Sequence, residues 1–121
     1  MKFASIPLMI KDFRAFQLSK DFYQRCKIVR VPAFLKDQLM RASSSVALNL
    51  AESSGRRTDK EKIRFFTIAT GSLRECQAIL ALEQIDDPIL TNLADQLGAI
   101  LFKLCRLGTI SEPSAPTPEG K

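Results

Sequence analysis

Apolar side chains recur along this chain at steps of three and four, the spacing that lines one face of an α-helix. Ala15, Leu18, Phe22, Cys26 and Val29 form the first such stripe. It must stop before Pro32, because the residue preceding a proline is pushed out of the helical region. Leu35, Leu39, Ala42, Val46 and Leu50 form the second, which runs out near Ser53-Ser54-Gly55. The third opens on a capping box: Thr58 is placed to accept from the backbone N–H of Glu61, whose side chain reaches back to Thr58. Its stripe is Phe65, Ile68, Ser72, Cys76 and Ile79, flanked by Ala69, Leu73 and Leu80, and the helix runs to about Glu83. The fourth starts at Asp87-Pro88, an N-cap acceptor followed by proline at the first helical position. Leu90, Leu93, Leu97, Ile100, Leu104 and Leu107 carry it to Gly108, a suitable helix stop.

There is little competing strand signal. Helices of about 20 residues are about 30 Å long, and short connections make chain neighbours antiparallel. The pattern therefore predicts an all-α fold, an antiparallel up-and-down four-helix bundle over residues 12–107. Residues 1–11 read as an N-terminal arm carrying Phe3, Ile6, Leu8, Met9 and Ile10. From Ser111 to Lys121 the chain holds three of its six prolines and almost no apolar side chains. Such a segment cannot offset its ordering entropy by burial, so residues 108–121 are expected to be a disordered, proline-rich tail.

Two features sit awkwardly in this pattern. Gly71 and Gly98 fall inside helices, each at a cost of about 1 kcal/mol relative to Ala, and predict close backbone approach by another helix. Phe65 and Phe66 are neighbours, so one helix cannot turn both toward its own core. One of them is expected to meet a subunit interface together with the apolar arm, the alternative being loop packing over the monomer core.

Composition narrows the chemistry. The 121 residues make one domain of ordinary size, with no histidine. That removes Ser–His and Cys–His nucleophiles, imidazole acid–base catalysis, His-ligated metals and the Glu-x-x-His pairs of di-iron bundles. Cys26, Cys76 and Cys105 form no Cys-x-x-Cys pair, which leaves a zinc or redox site without support. They read as free buried thiols, suited to a reducing cytoplasm. The longest uncharged run, Ala42–Ala51, has ten residues, against the about 20 that span a bilayer. No signal-peptide cleavage pattern follows the N-terminus. The reading is a cytoplasmic protein that is no enzyme and carries no metal or cofactor.

Charge is placed unevenly. Residues 1–74 hold 15 basic and 6 acidic side chains, residues 75–121 hold 3 and 7, and the whole chain carries +5. Five of the nine residues from Arg56 to Arg64 are basic, and they sit at a helix N-terminus whose free N–H groups also favour anions. Arg56, Arg57, Lys60, Lys62 and Arg64, with Arg41 on the preceding helix, are the candidate nucleic-acid contacts. The competing reading is a solvated loop, with Asp59 and Glu61 neutralising part of the charge. Asn49 and Glu52 are expected to cap backbone or side-chain groups, such as Arg56 or Arg64, and so fix the turn between the second and third helices. A helix-turn-helix is disfavoured, because the helix after the turn is too long.

The run Gln38-Leu39-Met40-Arg41-Ala42-Ser43-Ser44-Ser45-Val46-Ala47-Leu48-Asn49-Leu50-Ala51-Glu52-Ser53-Ser54-Gly55-Arg56 resembles the signature of one small bacterial family. Its members were first met as reading frames in intervening sequences of 23S ribosomal RNA and are often labelled S23 ribosomal proteins. Arg64-Phe65-Phe66 and then Ile68-Ala69-Thr70-Gly71-Ser72-Leu73-Arg74-Glu75 resemble the family's second block. The sequence departs from the family at Val46-Ala47-Leu48-Asn49, where a proline is common. The resemblance implies a four-helix bundle assembling into a ring-like homopentamer. It also implies, from the branch that serves diversity-generating retroelements, a basic surface for nucleic acid and a reverse transcriptase. Two functions follow: an oligomeric adaptor that binds RNA or DNA, or a protein–protein scaffold without nucleic acid.

Overall fold

A computed structural model describes the backbone of residues 10–111 and the side chains of residues 14–106. Among the described residues there are four α-helices and no strand: α1 (Ile10–Ile28), α2 (Ala33–Ser54), α3 (Asp59–Leu82) and α4 (Pro88–Ser111). Most of the N-terminal arm and residues 112–121 of the tail lie outside them. α1 begins within the expected arm, and α4 continues through Gly108 to Ser111 instead of stopping at the glycine.

The helix ends follow from local chemistry. Pro32 ends the α1–α2 connection, and its carbonyl accepts from the N–H groups of Leu35 (3.0 Å) and Lys36 (2.8 Å). Thr58 caps α3 by accepting from the Glu61 N–H at 3.1 Å. The return arm of the box lands one residue early: the Glu61 carboxylate accepts from the N–H of Arg57, at 3.3 Å, not from Thr58. α3 ends in paired bonds from Gln84 N–H to Ala81 O (3.1 Å) and Ile85 N–H to Leu80 O (2.9 Å). Gln84 there adopts φ 53°, the left-handed conformation that usually selects glycine and costs a side-chain-bearing residue about 1 kcal/mol. Asp87 starts α4 as expected, accepting from the Leu90 N–H at 3.0 Å.

Each helix packs on its chain neighbours, and α4 returns to α1, while the α1–α3 and α2–α4 pairs stay apart. The shared core holds Phe22, Leu39, Val46, Leu50, Phe66, Leu73, Leu90, Leu97, Leu101 and Leu104, with smaller residues between them. Truncating one of these leucines to alanine costs about 2–5 kcal/mol, the lost transfer energy plus the cavity left behind. In α3 the core face is Phe66, Ala69, Leu73, Cys76 and Ile79: Cys76 and Ile79 of the expected stripe are buried, but in its first half Phe66, Ala69 and Leu73 take the place of Phe65, Ile68 and Ser72. Phe65 and Ser72 are half-buried and Ile68 is exposed. Ser72 donates to Ser45 Oγ of α2 at 2.8 Å, a polar contact that turns this side of α3 toward its neighbour and away from the centre. Similar one-residue shifts bring Phe16, Ser19, Ala94 and Leu101 inside and leave Leu18, Leu93 and Ile100 half-buried.

Buried serines are tolerated because each hydroxyl finds a carbonyl one turn back: Ser19 to Phe16 O at 2.7 Å, Ser53 to Leu50 O at 2.7 Å and Ser43 to Met40 O at 3.3 Å. The interior glycines do not mark the expected close backbone approach. A Cβ at Gly71 would meet nothing within 4 Å, and one at Gly98 would make an ordinary 3.7 Å contact with Leu73. Both line an open groove between α3 and α4, beside Phe102 and Cys105. Cys26 and Cys76 are buried and Cys105 is partly so, all three as free thiols. Burial pushes the Cys26 thiol up to about 12, and Cys76 is raised by burial first and by neighbouring Cys26 second.

Candidate nucleic-acid interface

The candidate basic residues fall on three elements: Arg41 midway along α2, Arg56 and Arg57 in the α2–α3 turn, and Lys60, Lys62 and Arg64 in the first turns of α3. Arg56 and Arg64 are brought together over the ring of Phe65, with Arg57 and Lys60 near them in sequence. Arg41 is not, since the 13 residues from it to Ser54 separate it from the turn by roughly 20 Å of helix. Arg41, Arg56, Arg57, Lys60 and Arg64 are exposed, and Lys62 is half-buried.

Three local devices hold the turn. Arg56 forms an ion pair with Glu52, one turn earlier at the end of α2. The Arg56 guanidinium also lies 4.7 Å from the centre of the Phe65 ring, and Arg64 lies 5.6 Å from the same ring. Guanidiniums at this distance are attracted by the negative face of an aromatic ring, by about 0.5–1 kcal/mol at exposed sites. Phe66, the adjacent residue, is 2% exposed and belongs to the core. Within the chain, therefore, the phenylalanine that stays out of the core, Phe65, meets arginines. Glu52 takes its expected capping role toward Arg56, whereas Asn49 bonds one turn back along α2, donating to Ser45 O at 2.8 Å and Ser45 Oγ at 3.1 Å, and does not hold the turn.

The N-terminus of α3 is already occupied. Thr58 takes the Glu61 N–H, and Asp59 and Glu61 supply negative charge to the first turn. An approaching anion would therefore meet side chains, chiefly Arg57 and Lys60, which make no ion pair among the described residues. Pattern reading missed the use of Phe65 as a platform. The available signal was Phe65 flanked by Arg64 in sequence and lying one helical turn past the Arg56-Arg57 pair and its capping residues.

A different chemistry holds the α1–α2 and α3–α4 connections. Arg25 of α1 donates to Asp87 at 3.0 Å, a partly buried pair that ties the two connections together. Lys36 of α2 donates from Nζ to the carbonyls of Lys27 (2.7 Å) and Val29 (2.6 Å), closing the C-terminal end of α1. Around these connections Ile28, Phe34, Leu82 and Ile89 are each more than half exposed.

Among the described residues no group of three His, Cys, Asp or Glu side chains is placed to hold a metal ion. No helix there is long and apolar enough to cross a membrane. Fold and turn together define a small four-helix protein with a cluster of basic residues where its second helix gives way to its third. The 23S rRNA-intervening sequence protein family matches residues 9–107, and the chain belongs to that family. No curated protein and no solved structure matches it.

Proposed function

We propose that this chain is a non-enzymatic, cytoplasmic, ring-forming bundle protein that associates with RNA or DNA through the α2–α3 turn. The observation that carries the reading is the run of Arg56, Arg57, Lys60, Lys62 and Arg64 along the α2–α3 turn and the first turns of α3, exposed except for half-buried Lys62, with Arg57 and Lys60 free of ion pairs among the described residues. An antiparallel, up-and-down order of helices is supported by the register of contacts: Arg25 late in α1 meets Asp87 just before α4, and from Leu73 beside Gly98 to Thr70 beside Cys105 (3.6 Å) the contacts step back along α3 as they step forward along α4. The homopentamer is the assembly implied by family membership. It would multiply the +5 of each chain and bring several turns to one nucleic acid. Contacts of this kind position a backbone without reading bases, so little sequence preference is expected.

Filter binding of RNA and DNA at low salt tests the reading. Retention that falls steeply with salt and disappears on replacing Arg56, Arg57, Lys60 and Lys62 by Gln supports it, and no retention at low salt refutes it. Light scattering tests the ring separately: a mass near 13.5 kDa refutes assembly. The apolar side chains exposed around the α1–α2 and α3–α4 connections favour a second reading, a scaffold that docks protein partners. Under that reading, partner binding survives nuclease treatment and the fourfold Gln replacement.

A further inference from the structure

We propose that Arg56 is a built phosphate contact, that Phe65 positions it, and that Glu52 occupies the place a nucleic-acid phosphate takes on binding. This rests on the nucleic-acid reading and assigns roles within that surface. Arg56 is set apart from the other basic residues because its guanidinium already has two partners, the Phe65 ring 4.7 Å away and the Glu52 carboxylate. An arginine ordered in this way has surrendered its side-chain freedom before the ligand arrives, so less is lost on binding.

The Glu52 contact has the character of a place-holder. Both partners keep about half of their side-chain exposure, 41% for Arg56 and 52% for Glu52. An exposed pair one helical turn apart contributes little to stability. A carboxylate and a phosphate, however, offer a guanidinium the same kind of paired anionic oxygens. Exchanging one for the other keeps the charge-assisted hydrogen bonds and returns Glu52 to water. Arg57, next in the chain, and Arg64, over the same ring, favour an extended polyanion over a single carboxylate. Phe65 has two guanidiniums near its ring, so it supports Arg56 and Arg64 in preference to stacking a base. The contact is thus to the sugar–phosphate backbone.

The test uses the full chain and a short fluorescent duplex DNA of random sequence, with anisotropy followed across a salt series. Arg56→Gln is expected to weaken binding about tenfold and to flatten the log–log salt slope by about 0.9, the share of one phosphate. Glu52→Gln is expected to tighten binding, with the slope unchanged, by roughly threefold relative to Glu75→Gln, which removes the same charge from an exposed site further along α3. Phe65→Leu is expected to weaken binding roughly fivefold at unchanged slope, the penalty of ordering one long side chain. Phe65→Tyr, which keeps the ring face, restores it. Wild-type chain that binds neither this duplex nor an RNA of the same length at low salt removes the nucleic-acid reading itself. Wild-type binding with Glu52→Gln matching Glu75→Gln, or with Phe65→Leu matching wild type, overturns this inference alone. Should Phe65→Leu fail to fold by circular dichroism, the Glu52→Gln comparison decides.

Discussion

The α2–α3 turn and the paired α1–α2 and α3–α4 connections solve the same problem, ending helices without stranding backbone groups, by different means. The turn uses neighbours in sequence: Thr58 with Glu61, Glu61 with Arg57, Glu52 with Arg56. The connections reach further: Arg25 joins Asp87, 62 residues on, and Lys36 reaches back across the Pro32 break to the end of α1. Charge is left exposed at the turn, and large apolar side chains are left exposed at the connections. Local capping leaves a surface free to bind, because nothing there is needed to hold helices that are far apart in sequence. Long-range ties commit the residues that make them.

The largest expected difference is in thiol protection. Cys26 and Cys76 lie in the closed core, whereas Cys105 is partly exposed beside the α3–α4 groove. Alkylation of the native chain should label Cys105 more than about 100-fold faster than the other two, which react only when the core opens. Equal rates, read by mass spectrometry, would show that the core side is no better sealed.

Next comes the tie. Asp87→Ala removes both the α4 cap and the Arg25 partner, and should lower stability by about 2 kcal/mol in urea unfolding. The Asp87 carboxyl is held below the ordinary Asp range first by the Leu90 N–H, with burial opposing and Arg25 adding to the effect. A folded pKa below the unfolded value means this stabilisation is complete above about pH 4 and is lost as pH falls through the folded value. Asp87→Asn should therefore flatten the acid limb of the stability profile, and an unchanged limb counts against the tie.

At the turn, Thr58→Ala should cost less, about 1 kcal/mol, since only the local cap is lost. A cost above that of Asp87→Ala would reverse the contrast between the two regions. The smallest effect is a gain. Gln84→Gly at φ 53° should stabilise the chain by about 0.5–1 kcal/mol, seen as a raised melting temperature. A loss at Gln84 would mean that its side chain does more than tolerate the conformation.

The stretches legible in the sequence are those governed by neighbours. Four helices, the Pro32 break, the Thr58 cap and the Asp87 cap can all be read from short spacings, because their chemistry acts over three or four residues. The rotation of α3 could not be read this way. Phe65, Ile68, Ser72 and Phe66, Ala69, Leu73 are both helical stripes, and the choice depends on which helix each side meets. The Ser72–Ser45 bond and the guanidiniums over Phe65 resolve it, and both involve α2 or its end. Gly71 and Gly98 misled for the same reason, since a glycine in a helix does not say whether the space beside it is filled or open. At the candidate site, the clustering of Arg56 through Arg64 was legible and the separation of Arg41 from it was legible only once the length of α2 was known.

Lys36 carries one further consequence. Its ammonium belongs to the first turn of α2 but satisfies two carbonyls at the end of α1. Fraying of either helix end breaks the same contacts, so the two ends cannot open independently. In native-state hydrogen exchange, the amides of the last turn of α1 and the first turns of α2 should share one opening free energy, a cooperative unit that crosses the Pro32 break.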